Sequence, residues 1–77
     1  METEETILDV RGTRCPIPVL KARKRMAGLP SGGLVTVISD DPLSQIDVPN
    51  FCREDGHVLM DATPGQDGAI SFRIQKG

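Results

Sequence analysis

The 77-residue sequence has no tryptophan, no tyrosine, only two phenylalanines and a single histidine. Proteins that bind single-stranded nucleic acid usually stack bases on aromatic side chains, and this chain offers almost none. It also lacks a basic surplus, since nine lysines and arginines against eleven acidic residues leave a net charge of −2. Binding to phosphate backbones needs such a surplus or a basic stripe. These deficits argue against an RNA-binding domain and against direct nucleic-acid binding.

Long apolar runs and a basic leader are also missing. No stretch approaches the roughly 20 consecutive apolar residues of a transmembrane helix, so we expect no membrane association. The first five residues, Met-Glu-Thr-Glu-Glu, are acidic, whereas a secretory signal begins with basic residues. We therefore expect a cytoplasmic protein with a single domain over residues 1–77, in which residues 1–5 form a loose N-terminus.

Cysteine is scarce, because the chain contains only Cys15 and Cys52. Two cysteines are too few for a disulfide scaffold and are not spaced as a zinc site, so we expect neither a metal nor another cofactor. In a reducing compartment both are expected to be free thiols at rest. Cys52 shares a predicted helical face with Val48 and Phe51, which indicates a structural role in the core. Met26 and Phe72 are predicted core residues as well.

The hydrophobic pattern predicts strands and helices in the order β-α-β-α-β-β. Strands are predicted over residues 6–11, 34–39, 58–62 and 69–75. The first helix is predicted to end near Ala27. The second is harder to delimit, because Pro49 would break a helix interior but is tolerated in a first turn. We therefore predict a loose turn over residues 43–46, then a helix over residues 48–55 with Asp47 as its N-cap. The fold class that follows is α+β, a two-layer sandwich in which a four-stranded mixed sheet carries both helices on one face.

The segment Cys-Pro-Ile-Pro at residues 15–18 follows the first strand. Cys15 is expected at the start of the first helix, at the carboxyl end of that strand, where α/β sheets usually place their chemistry. Pro16 and Pro18 fix the backbone φ angle and would stiffen the turn that holds the sulfur. The sequence therefore predicts an exposed thiol held in one direction.

Positive charge near Cys15 is expected to favour its thiolate. The helix N-terminus contributes only ~0.3–1 kcal/mol, which is less than one pKa unit. Arg11, Arg14 and direct N–H···S contacts would have to supply the rest. No catalytic base is expected, because His57 begins the third strand at the opposite end of the sheet and position 18 is proline rather than a second redox cysteine. A positioned thiol without a catalytic partner suits covalent carriage of a group.

Several motifs of the sequence resemble those of the TusA/SirA family of small sulfur-carrier proteins, from about residue 7 to residue 76. The motifs are Leu8-Asp9-x-Arg11-Gly12-x-x-Cys15-Pro16-x-Pro18, Asp40-Asp41-Pro42, Asp47-Val48-Pro49-x-Phe51-Cys52 and Gly56-His57. The resemblance implies a two-layer α/β sandwich and a sulfurtransferase activity in which Cys15 accepts sulfane sulfur as a persulfide. Thr13 departs from the leucine that is usual in the family and makes the approach to Cys15 more polar.

The resemblance also implies partners. The donor would be a cysteine desulfurase or a rhodanese-type enzyme, and the acceptor a downstream sulfur-relay protein. The sulfur would end in tRNA thiolation, cofactor synthesis or sulfur oxidation. The alternative is a non-catalytic regulator or adaptor that binds a partner through the surface around Cys15.

Two groups of charged residues are candidates for partner docking. The first is the basic face of the first helix, which includes Lys21 and Arg23. Such a face is usually only solvated, but it also suits an acidic partner by steering the encounter. The second is Asp40 and Asp41, which are most simply turn and cap residues ahead of Pro42. Because they follow the second strand, they are expected at the same end of the sheet as Cys15.

Overall fold

The computed structural model describes residues 6–65 and 67–77, so the predicted loose N-terminus at residues 1–5 lies outside the described residues. The elements, in chain order, are β1 (Thr6–Asp9), α1 (Ile17–Ala27), β2 (Leu34–Ser39), α2 (Ser44–Asp55), β3 (Val58–Pro64) and β4 (Ile70–Gln75). This order confirms the predicted β-α-β-α-β-β arrangement. Within the described residues, α1 and α2 are both too short and too polar to span a bilayer.

The four strands form one mixed sheet in the order β1-β2-β4-β3. Strands β1 and β2 pair in parallel, whereas β4 runs antiparallel to both of its neighbours, β2 and β3. Strand β3 is therefore parallel to β1 and begins at the end of the sheet where β1 begins. The carboxyl ends of β1 and β2 lie together at the other end, and this is the end from which the segment leading to α1 departs.

The hydrophobic core lies between one face of the sheet and the two helices. Side chains of the two central strands alternate between fully buried and half-buried positions, as expected for a sheet covered on one face. The core cluster consists of Val10, Ala22, Met26, Val35, Val37, Val48, Phe51, Cys52, Phe72 and Ile74. The predicted placement of both helices on one face is confirmed, as are the core positions of Met26, Cys52 and Phe72.

Helix α2 begins earlier than predicted. It spans Ser44–Asp55 with Pro49 in its interior, so the predicted loose turn over residues 43–46 and the N-cap role of Asp47 are wrong. The Asp47 amide donates to the Leu43 carbonyl at 2.8 Å, as in a regular helical turn. Asp47 is therefore part of the helix, in its first turn.

Packing at the start of α2 explains why the helix tolerates the proline. A proline in a helix interior removes one backbone hydrogen bond and costs ~3 kcal/mol in an isolated helix. Ser44, in the first turn, is buried and its hydroxyl lies 2.6 Å from the Ser39 hydroxyl at the end of β2. Val48 is also fully buried. We infer that burial of this face outweighs the loss at Pro49.

The strand boundaries differ from the predicted ones by one or two residues. Strand β1 ends at Asp9 rather than at residue 11, although the Val10 amide still donates to the Ile38 carbonyl at 2.9 Å. Strand β3 continues to Pro64, because its pairing with β4 extends to Ile70. The element that precedes Cys15 is thus slightly shorter than expected, and the connection to α1 is longer.

Candidate functional site

Cys15 is exposed and lies in the connection between β1 and α1, just before the helix begins at Ile17. Pro16 occupies the N-cap position of α1 and Pro18 lies in its first turn. The prediction that both prolines are accommodated at a helix start is therefore confirmed. The Cys15–Pro16 peptide bond is cis.

Asp41 attaches the Cys15 segment to the end of β2. Its Oδ2 accepts a hydrogen bond from the Cys15 amide at 2.6 Å, and its Oδ1 accepts one from the Leu43 amide at 3.1 Å. The Asp41 amide donates in turn to the Ser39 hydroxyl at 3.2 Å. Asp41 is only 5% exposed, which favours the predicted turn role over docking, whereas the N-cap position of α2 is occupied by Leu43.

Asp40 holds the same segment from its exposed side. Its Oδ1 accepts hydrogen bonds from the Gly12 amide at 3.0 Å and from Nη1 of Arg14 at 3.2 Å. The bond from the Gly12 amide, with that from Arg14, holds the pKa of the Asp40 carboxyl below its usual value. Arg11 is paired with Asp9, with Nη2 to Oδ2 at 2.7 Å and Nε to Oδ1 at 2.9 Å.

The expectation that Arg11 and Arg14 favour the Cys15 thiolate is therefore wrong. Both guanidinium groups are paired with carboxylates of their own, and neither contributes to the pKa of Cys15. That pKa is raised above its usual value, first by the hydrogen bond from the thiol to Asp47, then by partial desolvation and by the charges of Asp47 and Asp41. A neighbouring carboxylate disfavours the anion because the two charges have the same sign.

The backbone amides around Cys15 are also committed elsewhere. The Cys15 amide donates to Asp41, and the Ile17 amide donates to the Arg14 carbonyl at 2.8 Å. Pro16 and Pro18 carry no amide hydrogen. Over residues 15–18 no amide is left for the sulfur, so the expected stabilisation by the first helical turn is not met there.

A cleft of about 170 Å³ opens beside Cys15, between the start of α1 and the outer face of α2. Its lining residues are Cys15, Pro16, Val19, Asp47, Asn50, Phe51 and Glu54. A water molecule in the liquid takes ~30 Å³, so the cleft has room for several atoms beyond the sulfur. It places the thiol against the polar and acidic side of α2.

Asp47 is the site residue that the sequence analysis missed, because it was assigned to a helix cap. A signal was nevertheless available in the spacing of Asp47, Asn50 and Glu54. Residues three and seven positions apart lie on one helical face, and this face differs from the core face of Val48 and Cys52. An acidic face beside a predicted reactive thiol could have been recognised on that basis.

Two residues of the basic face of α1, Lys21 and Arg23, lie in different surroundings in the fold. Arg23 contacts α2, with Nε 2.9 Å from Oδ2 of Asp55 and its guanidinium carbon 5.2 Å from the centre of the Phe51 ring. Lys21 lines a separate groove of about 430 Å³ between α1 and β1. The other residues that line this groove are Leu8, Lys24, Arg25 and Gly28. The two predicted docking residues are thus exposed but contact different surroundings.

His57 and Cys52 take no part in the cleft. His57 Nδ1 accepts a hydrogen bond from the Gly77 amide at 3.1 Å, and its ring packs edge-on against Phe51 at 5.4 Å between centroids. Cys52 is 3% exposed, and burial raises its pKa to about 11. Within the described residues no group of histidine, cysteine and acidic side chains is suited to a metal ion.

Comparison with known proteins places the chain in a family. The family model described as sulfurtransferase TusA matches residues 6–76. The chain belongs to the TusA family. The chain is 43% identical over 68 residues to a candidate sulfur carrier protein of Neisseria meningitidis serogroup A, covering 88% of this chain and 90% of that one.

Further members of the TusA family match the chain over most of its length. The sulfur carrier protein TusA of Pseudomonas savastanoi pv. phaseolicola is 36% identical over 74 residues, covering 96% of this chain and 87% of the relative. The crystal structure of a SirA-like protein from Desulfitobacterium hafniense superposes with a TM-score of 0.84 and 32% identity, covering 94% of this chain and 97% of the other. The predicted family and the predicted fold class are both confirmed.

Proposed function

We propose that this TusA-family protein is a sulfur carrier that accepts sulfane sulfur as a persulfide on Cys15 and transfers it to an acceptor protein. Family membership supports the carrier role, and Cys15 supports the site. It is the exposed one of the two thiols in the chain. The segment that carries it is held by both Asp40 and Asp41, and a cleft opens beside it.

The proposed reaction consists of two thiol exchanges. In loading, the Cys15 thiolate attacks the outer sulfur of a persulfide on the donor enzyme. A bond forms between Cys15 Sγ and that sulfur, the donor's S–S bond breaks, and the donor leaves as a thiolate that takes up a proton. In unloading, a thiolate of the acceptor attacks the outer sulfur in the same way. Neither step needs an external oxidant or reductant.

The proposed partners are a cysteine desulfurase or rhodanese-type donor and a downstream sulfur-relay protein. The destinations that fit are tRNA thiolation, cofactor synthesis and sulfur oxidation. We place the protein in the cytoplasm, because an exposed thiol without a partner cysteine persists best in a reducing compartment. Lys21, Arg23 and Asp40 remain proposed docking residues, of which Lys21 and Arg23 are exposed, whereas the burial of Asp41 argues against a docking role for that residue.

Loading can be tested by intact mass spectrometry. The protein is incubated with a cysteine desulfurase and cysteine, and separately with a rhodanese and thiosulfate, and is weighed with and without reductant. We expect a reducible gain of one sulfur atom that is abolished in Cys15→Ser and retained in Cys52→Ser. A gain that is lost in Cys52→Ser instead would show that the site is wrong.

The same variants separate the carrier from an adaptor. For a carrier, Cys15→Ser removes the cellular activity. For an adaptor, Cys15→Ser leaves that activity intact, whereas charge reversal at Lys21 and Arg23 removes it. Failure of the wild-type protein to gain sulfur from either donor would contradict the carrier function.

A further inference from the structure

Asp47 lies beside the Cys15 thiol in the fold and is the first cause of its raised pKa. It lies in the first turn of α2, is half-buried, and lines the cleft into which Cys15 opens. Cys15 and Asp47 both line this cleft, and interaction with the Asp47 carboxylate raises the pKa of the thiol. A persulfide carrier needs a nucleophilic sulfur, so an anion at this position requires an explanation.

The other charged groups around the thiol do not offset Asp47. From α2, the only other acidic residue lining the cleft is Glu54, and from the β2–α2 connection Asp41 adds a further negative charge. The residues that line the cleft from α1 and its N-cap, Val19 and Pro16, are uncharged. Arg14, the nearest cation in sequence, is paired with Asp40. A thiolate at Cys15 would thus lie among carboxylates without a paired cation.

We propose that Asp47 is a positioning residue for Cys15, which accepts the thiol proton in a hydrogen bond and holds the resting sulfur protonated in the cleft between α1 and α2. The inference deepens the proposed carrier function and rests on it. Before a partner docks, the thiol is a poor nucleophile, and loading begins once this hydrogen bond is broken. The carrier is thereby protected from exchange with thiols and disulfides that it meets by chance.

A role for Asp47 as a general base fits less well. The ordinary pKa values of an aspartate and a cysteine are ~3.9 and ~8.5. Moving the proton fully from the thiol to the carboxylate is therefore disfavoured by more than about 10⁴-fold. The raised pKa of Cys15 acts in the same direction, because it favours the protonated thiol. Asp47 retains the proton on sulfur more readily than it removes it.

Alkylation of the intact protein by iodoacetamide tests the inference, because only the thiolate reacts. The rate at Cys15 is followed against pH by peptide mass mapping for the wild type, Asp47→Asn, Asp47→Glu and Glu54→Gln. We expect Asp47→Asn to move the midpoint of this profile to lower pH. The rate at pH 7 should rise by ~3-fold or more for every pH unit by which the midpoint falls, since the lower basicity of the thiolate offsets part of the gain. Asp47→Glu retains a carboxylate and is expected to keep a raised midpoint.

Glu54→Gln is the matched control, since Glu54 lines the same cleft but does not contribute to the Cys15 pKa. It is expected to leave the midpoint unchanged. Cys52 reports on folding, because it is buried and reacts only if the protein opens. An equal fall of the midpoint in Asp47→Asn and Glu54→Gln, or an unchanged midpoint in Asp47→Asn while Cys52 stays protected, would overturn the inference.

A measurement on the wild type alone keeps the inference testable if Asp47→Asn does not fold. The Cys15 midpoint in the folded protein must lie above that of the same residue in urea. A folded midpoint at or below the unfolded one would refute the role of Asp47 whatever the variants do. None of these alkylation readouts requires sulfur transfer. A failure of persulfide loading would therefore contradict the carrier function, whereas the alkylation profile would still test the role of Asp47.

Discussion

Replacing Asp41 by alanine is the sharpest test of how the Cys15 segment is held. The carboxylate of Asp41 accepts hydrogen bonds from the Cys15 and Leu43 amides and is almost fully buried. Hydrogen bonds to a charged group are worth ~1.5–3 kcal/mol each, and removing the acceptor leaves two amides without a partner. Water can reach the exposed Cys15 side and recover part of this loss. We expect Asp41→Ala to lower the free energy of unfolding by ~2–4 kcal/mol.

This loss is large for so small a protein. At ~0.05–0.15 kcal/mol per residue, a chain of this length has a total stability of roughly 4–12 kcal/mol. Urea unfolding followed by circular dichroism is a suitable assay. With an m-value of ~1 kcal/mol/M, the midpoint should fall by roughly 2–4 M.

Asp40→Ala is the matched control, because Asp40 is the adjacent residue and also accepts two hydrogen bonds. These bonds are exposed, and exposed ion pairs contribute only ~0–1 kcal/mol. We expect its loss to be about 1 kcal/mol or less. Equal losses in the two variants, or a loss below about 1 kcal/mol in Asp41→Ala, would refute the view that Asp41 is the main attachment of the Cys15 segment.

Three further predictions concern pH and backbone conformation. The hydrogen bonds from Arg11 lower the pKa of Asp9 to about 2, so the stabilisation by ionised Asp9 is present above about pH 4 and is lost as the pH falls towards 2. In urea unfolding, Asp9→Asn should therefore lose less stability over this pH range than the wild type. Equal pH dependence in the two proteins would contradict the pairing. Burial raises the pKa of Cys52 to about 11, so unfolding should become easier from about pH 9 to pH 11, since the unfolded chain releases the proton first. Cys52→Ala should reduce that slope to the part contributed by the raised pKa of Cys15, and equal slopes would argue against burial of Cys52 as the cause. Gly56 ends α2 with a φ of 78°, so thermal unfolding should show Gly56→Ala to be less stable than the wild type by ~1 kcal/mol. Gly28→Ala is the control, because Gly28 has a φ of −90°. Similar losses of stability at both sites would contradict the conformational argument.

The element order and the core were predictable because they depend on local periodicity. The alternation of apolar and polar residues in β4 and the helical spacing in α1 are properties of short segments. The start of α2 was not predictable in this way. It depends on contact between Ser44 and Ser39 across the end of the sheet and on the burial of Ser44 and Val48, which we infer outweigh the local rule about Pro49.

The position of the Cys15 thiol was predictable, but the electrostatics around it were not. Arg14 is paired with Asp40, 26 residues further along the chain, and this pairing exists only because β1 and β2 are parallel neighbours. Asp47 lines the cleft beside Cys15 from the first turn of α2, which starts before Pro49. A charge adjacent in sequence was therefore a poor guide to the charge adjacent in space.

The burial of Cys52 has a consequence for the proposed cargo. A persulfide can be emptied from within its own molecule when a second thiol attacks the inner sulfur, which forms a disulfide and releases hydrosulfide. In this chain the second thiol faces the core and is 3% exposed, and no third exists. In a loaded protein of this kind no intramolecular thiol can release the outer sulfur of the persulfide, so that sulfur remains bound until a thiol of another molecule accepts it.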